Sequence, residues 1–279
     1  MRKRSLPRWS PHLLAIARCS RRLWLYWPPN HLSPPPSPFE LLGNAIHSNI
    51  VLAAKQEKPL SEIISDFLKP WLNRDDIDPL ERSRLANYGQ NAMQNFYQRY
   101  FDKQELINTI SLEKDVATCF SWDGQLALNW QSKRPPGYQL FGRVDEIHRL
   151  EKTLVIRDFK LKVSKLINEE TDFSQKLQLG IYRSCLEPHL EKYNCEEIVC
   201  EIFDLTNNRI IPIEPFSTGE IHAIVKKTRF RIKGRSQSRN LELCPTCPYK
   251  QVCSDPYHSP PEWIKTKEAP SQLGLSFTT

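Results

Sequence analysis

The sequence predicts an α/β domain organised on one central mixed sheet with helices on its flanks. Three observations predict it. Three strand-like runs follow one another, Val116 to Trp130, Tyr138 to Leu150 and Thr153 to Lys160. Two more, near Ile198 to Leu205 and Arg209 to Ile213, come after a helix-period run from about Asp172 to Leu186. Helical patterns occupy the beginning and end of the chain, so the order is helices, strands, helix, strands, helix, and no internal repeat is visible.

Residues 9–27 read as a helix, with Ser10 as N-cap and Pro11 at the first helical position, closing before the prolines at 28 and 29. The segment HLSPPPSPFE is a stiff proline-dominated connector. Helical spacing resumes in GNAIHSNIVLAA, which carries His47; by itself such a histidine is a core or surface residue without chemistry. A short amphipathic helix follows over 60–72. Asp78, Pro79 and Glu81 then open a helix bearing Leu85, Tyr88, Ala92, Phe96 and Tyr100 at spacings of three and four. That stripe is a packing face on its periodicity, with base stacking as the alternative. Asp123 and Gly124 make a hairpin turn within the first strand run. Ser217 and Glu220 form a capping box that opens the last helix, which runs into KKTRFRIKGRSQSR.

At 279 residues, with 39% hydrophobic content, the chain can bury a substantial core. The sequence predicts one domain over residues 1–258, a helical insertion at about 60–110 and a tail over 259–279. A net charge of +7 suits a polyanion such as nucleic acid. Glu40 is the first acidic residue, and seven Arg and Lys precede it. The apolar run Leu13 to Ala17 is too short for a secretory core, and no stretch reaches the roughly 18 apolar residues of a membrane span. The reading is a cytoplasmic protein of a reducing compartment, with no membrane partner. Cys119, Cys185, Cys195 and Cys200 fall in apolar or structured runs as buried thiols. Cys19, Cys244, Cys247 and Cys253 remain as candidates for one metal site.

The chemistry concentrates between Gly142 and Tyr182. Alternation puts Leu154, Ile156, Asp158 and Lys160 on one face of their strand, so a charged pair continues an apolar stripe. Asp145 ends the preceding strand. Two carboxylates and a lysine on neighbouring strands can hold Mg²⁺ or Mn²⁺ and hydrolyse a phosphodiester; the alternative is a strand-end salt bridge between Asp158 and Lys160.

GRVD at 142–145, IRDFK at 156–160, and Gln178 with Tyr182 four residues on resemble the motif set of PD-(D/E)XK nucleases of the RecB type. GNAIH at 43–47 resembles the Gly-x-x-x-His of the branch with an N-terminal motif. The resemblance implies a restriction-endonuclease-like core and a metal-dependent deoxyribonuclease. It makes Asp145, Asp158, Lys160, Gln178 and Tyr182 catalytic, and His47, Asp145, Asp158 and the Phe159 carbonyl metal ligands. Single-stranded DNA cut from an end is the implied substrate, in repair, recombination or CRISPR-type processing, with a helicase or other repair or CRISPR protein as a separate chain. Asp158 stands where many relatives carry Glu, and Leu161 and Lys162 follow the lysine where many have Thr and Gly.

Cys244-x2-Cys247-x5-Cys253, with Cys19 far upstream, is similar to the iron-sulfur staple of AddB-type, CRISPR-adaptation-associated and exonuclease V-like nucleases. The resemblance implies a 4Fe-4S cluster on Cys19, Cys244, Cys247 and Cys253; structural zinc is the lesser alternative. If these cysteines meet, Arg18, Arg21 and Arg22 meet Lys226, Lys227, Arg229, Arg231, Lys233 and Arg235, a set suited to phosphate contact. The rival reading of the whole is a non-catalytic DNA-binding or complex-stabilising protein with a structural metal.

Overall fold

The computed structural model describes residues 7–26, 36–56, 58–102, 108–127, 137–163, 169–233, 240–244, 247, 249 and 253. The chain order is β1 (Arg8–Trp9), α1 (Pro11–Ile16), α2 (Ser20–Tyr26), α3 (Pro38–Gln56), α4 (Leu60–Leu72), α5 (Pro79–Tyr97), β2 (Thr109–Ser121), β3 (Gly137–Leu150), β4 (Thr153–Lys160), α6 (Glu169–Leu186), β5 (Glu197–Asp204), β6 (Arg209–Pro212) and α7 (Thr218–Lys233). The predicted tail after 258 lies outside the described residues. Among those described, no helix is long and apolar enough to cross a membrane.

The six strands form one mixed sheet in the order β1-β3-β4-β5-β6, with β2 on the other edge of β3. β1 is parallel to β3 and β4 is parallel to β5; the remaining pairs are antiparallel. Strand alternation divides the core. Leu154, Ile156, Cys200 and Ile202 pack beneath the N-terminal helices, α6 and α7, whereas Phe159, Leu161, Phe203 and Leu205 pack against α3, α4 and α5. The expected α/β architecture with a mixed, helix-flanked sheet is what forms, and it is consistent with a restriction-endonuclease-like fold.

The predicted single helix over 9–27 is a short strand and two helices. Ser10 caps as expected, its Oγ accepting from Leu13 N–H at 3.2 Å. The helix then tightens, with Arg18 and Cys19 N–H reaching back only three residues to Ala15 and Ile16. Arg231 of α7 donates to the carbonyls of Ala17 and Arg18 at 2.6 and 3.4 Å, so the break is paired from outside. At α3, the connector ends in a capping box: Ser37 N–H donates to Glu40 Oε2 at 2.7 Å and Glu40 N–H to Ser37 Oγ at 3.2 Å. The helix therefore begins at Pro38, five residues ahead of the expected GNAIH start. The first of the predicted strand runs is β2, which begins at Thr109 and ends at Ser121, with Gly124 at φ +97° in the turn that follows. The Leu85 to Tyr100 stripe packs: Leu85, Ala92, Phe96 and Tyr100 are buried, and Tyr88 lies against the same core.

Candidate active site

The site begins as a gap in strand pairing. β2 runs the length of one edge of β3. The other edge is shared by β1, which ends at Trp9↔Leu140, and β4, which pairs from Leu150↔Thr153 only as far as Glu146↔Arg157. Among the described residues, no strand covers that edge over 141–145. Continuing the β3–β4 register would bring Asp145 opposite Asp158. Instead the strands part, and the Asp145 carboxylate accepts the Phe159 N–H at 2.7 Å.

On the far side of the sheet the same parting point is pinned by a buried network. Arg157 donates to Glu146 Oε2 at 3.1 Å, to Glu201 Oε1 at 2.6 Å and to the Tyr100 hydroxyl at 2.8 Å; that hydroxyl also bonds Glu146. Burial works against the charge of Glu146, but His148 and Arg157 overcome it and hold the carboxyl below its ordinary range. The neighbours of both site aspartates, Glu146 and Arg157, therefore lock β3 to β4 immediately before the strands separate. Sequence reasoning missed this network, because nothing in the spacing distinguishes it from ordinary strand charge.

In the gap, the structure brings together every residue the motif set singled out. Lys160 Nζ lies 2.6 Å from Asp158 Oδ2. From α6, Gln178 Nε2 donates to Asp158 Oδ1 at 2.7 Å and to the Tyr182 hydroxyl at 2.9 Å, while its Oε1 accepts from Lys160 at 3.3 Å. Spacing of four on a helix puts Gln178 and Tyr182 on one face. Gly142 explains why Tyr182 fits: a Cβ there would stand 2.5 Å from the Tyr182 ring. His47, from α3, sits with Nε2 3.0 Å from the Phe159 carbonyl and Nδ1 3.7 Å from Asp145 Oδ1. Glu113, not singled out by sequence, lies on β2 abreast of Asp145 between Leu112↔Glu146 and Lys114↔Val144, at φ +49°. No sequence signal marked it.

The electrostatics follow from two carboxylates sharing one lysine. Burial and then the Asp158 charge raise the Asp145 carboxyl well above its ordinary range. Burial disfavours the Lys160 ammonium, but the charges of Asp158 and Asp145 reverse that and hold its proton more firmly than usual. His47 is shifted down, chiefly by burial, and is a neutral imidazole at neutral pH. Burial raises the Tyr182 phenol, which stays protonated.

A divalent cation fits this chemistry. A neutral imidazole, two carboxylates and a carbonyl are hard or borderline donors with a net negative balance. His47 Nε2 and the Phe159 carbonyl stand within hydrogen-bond distance, 3.0 Å, and would be the nitrogen and backbone-oxygen donors to such an ion. Among the described residues, however, no group of three or more His, Cys, Asp or Glu side chains is closed into a metal-holding arrangement. Both oxygens of Asp158 are engaged by Lys160 and Gln178.

A family model described as the PD-(D/E)XK nuclease superfamily matches residues 9–254. The chain belongs to that superfamily. Membership implies nuclease, that is hydrolase, activity on DNA, and PD-(D/E)XK nucleases typically use divalent metals such as Mg²⁺ or Mn²⁺. A solved structure titled "Crystal structure of SSO0001" is similar at 14% identity, covering 71% of this chain and 97% of that one, with a TM-score of 0.31. No curated protein matches this PD-(D/E)XK chain.

Cys185, Cys195 and Cys200 are buried as expected, whereas Cys119, read as a buried thiol, is only half-buried because it lies on the edge strand β2. No disulfide joins the eight. Cys185 and Cys200 are buried, and burial pushes both thiols up to about 12. Cys19 lies between α1 and α2, where its Sγ accepts the Asn240 N–H at 3.4 Å; Cys244 Sγ donates to the Asn240 carbonyl at 3.7 Å. Burial raises the Cys247 thiol, and Cys19 and Cys253 act on it as electrostatic neighbours. The basic set is less available for phosphate than its sequence implies. Arg231 serves the α1–α2 break, Arg18 lies 4.4 Å over the Phe173 ring, and Arg229 lies 3.6 Å over Trp122. Arg235 lies outside the described residues.

Proposed function

We propose that the chain is a metal-dependent deoxyribonuclease whose Mg²⁺ or Mn²⁺ is held by His47, Asp145, Asp158 and the Phe159 carbonyl. The observation that carries this is the pair of carboxylates facing one lysine and a neutral histidine in the gap between β3 and β4. When bound, the cation supplies Lewis-acid activation of water and neutralises charge developing on the phosphate. Lys160, which keeps its proton, orients the attacking water and stabilises the crowded phosphate as a cation. Gln178 ties the Asp158 carboxylate to the lysine and to Tyr182, fixing the lysine's reach. Tyr182 keeps its phenolic proton and flanks the same phosphate position.

By the same family resemblance, the substrate is a single DNA strand shortened from an end in repair, recombination or CRISPR-type processing, with a helicase or other processing protein as a separate chain. Cys19, Cys244, Cys247 and Cys253 are assigned to a 4Fe-4S cluster that joins the two ends of a single domain. The contacts of Cys19 and Cys244 with Asn240 and the electrostatic action of Cys19 and Cys253 on Cys247 support that assignment. The test is an end-labelled single strand incubated with anaerobically purified protein in Mg²⁺, Mn²⁺ or EDTA. Mononucleotides or short products in the metal arms are expected; an uncut strand in all three sinks the nuclease proposal. Iron analysis of the same sample tests the cluster, and stoichiometric zinc without iron replaces it.

A further inference from the structure

We propose that the cleft between α1 and α6 is the seat of a single DNA strand, with the Phe141 ring stacking a base and Arg8 and Arg143 contacting phosphates. The proposal rests on the nuclease reading and adds a substrate path to it. The cleft, about 810 Å³, opens over the stretch of β3 that neither β1 nor β4 covers. Gln178 and Tyr182 form part of its wall, so it is continuous with the carboxylate site.

The cleft's volume, in the range of small-molecule pockets, accommodates a short run of single strand.

The lining chemistry points the same way. Binding of single strands without sequence reading combines cations for the backbone with aromatic rings for the bases. The Arg8 guanidinium lies 4.3 Å over the half-buried Phe141 ring, and pairing of β1 with β3 at Arg8↔Gln139 keeps the two side by side. An arginine plane on an aromatic face is a platform a base can extend or replace. Arg143 is paired at 3.0 Å with Asp115, the acid in the lining, but both ends are more than half exposed, so the pair is weak and a phosphate can compete for it. Ser174 stands four residues before Gln178 on α6 and carries the polar wall outward from the site.

Fluorescence anisotropy in EDTA separates this proposal from the chemistry. Labelled oligothymidylate and a blunt duplex of equal charge are titrated with wild type, Arg8→Ala, Phe141→Leu and Phe141→Tyr, each checked for folding by circular dichroism. The single strand is expected to bind about 10-fold or more tightly than the duplex. Loss of one stacked base predicts that Phe141→Leu weakens binding by roughly 5-fold or more while Phe141→Tyr retains it. Arg8→Ala should weaken binding and reduce the salt slope by about one counterion. Equal or tighter duplex binding, or unchanged affinity in Phe141→Leu, overturns the proposal. A protein that gives either result yet cuts DNA in Mn²⁺ keeps the nuclease reading and loses only this path.

Discussion

At the scale of single residues, the site is a set of charges that are unfavourable without a partner. Asp145 is the clearest case. Its folded carboxyl holds a proton more tightly than the unfolded one, because burial and Asp158 raise it. Its contribution to stability is therefore present below the unfolded pKa and lost as pH rises through the folded value. Metal-free protein should lose stability as the pH rises above about 4, by at most ~1.4 kcal/mol per pH unit for the one proton. Urea unfolding across that rise checks it, with Asp145→Asn flattening the slope. Gly142 makes a second residue-level case. Adding a methyl 2.5 Å from the Tyr182 ring costs about 1–3 kcal/mol in overpacking, so Gly142→Ala should destabilise the fold and lower cleavage together. At this scale the sequence was informative, since Asp145, Asp158, Lys160, Gln178 and Tyr182 carry recognisable spacing. Glu113, Arg8 and Phe141 were not readable, because their importance comes from strands that meet only in the fold.

At the scale of elements, the parting of β3 and β4 is what creates the site, and Arg157 is what fixes where they part. β4 could be read from its alternation, to the residue at both ends. That its partner Glu146 sits under the Tyr100 hydroxyl could not, since Tyr100 lies 46 residues upstream and looked like one more position in an aromatic stripe. Removing one member of a buried ion pair strands the other charge, at a cost of about 3–5 kcal/mol. Glu146→Leu should show that loss in chemical denaturation, and addition of Arg157→Met should recover part of it in a double-mutant cycle. Full additivity of the two losses would show that the network is not a unit. The N-terminal helix was misread for a related reason. The break at 17–19 is paired by Arg231, more than 200 residues away, which takes the Ala17 and Arg18 carbonyls.

For the molecule as a whole, the described N-terminal and C-terminal segments meet, with α1 and α2 held to α7 and Asn240 linking Cys19 and Cys244. Bringing positions 19 and 244 together costs roughly 5 kcal/mol of loop entropy by the logarithmic law. A metal cluster bound only in the folded state offsets that through its own binding free energy. If the four cysteines hold the proposed cluster, Cys19→Ser should lower the visible absorbance of the purified protein and speed proteolysis of the N-terminal segment. Retention of full absorbance would exclude Cys19 from the ligand set. The mixed sheet and its helix layers followed from the order of periodic segments. The cleft did not, because it is defined by where β1 ends and β4 leaves.

The central claim, that the paired carboxylates in the β3–β4 gap perform metal-dependent cleavage, is tested most directly by one comparison. Wild type and Asp158→Ala are incubated with the same labelled single strand in Mn²⁺, after both are shown to be folded. Loss of the carboxylate that contacts Lys160 and Gln178 should slow cleavage by on the order of 10²–10³-fold or more. Equal cleavage by the two proteins would contradict it.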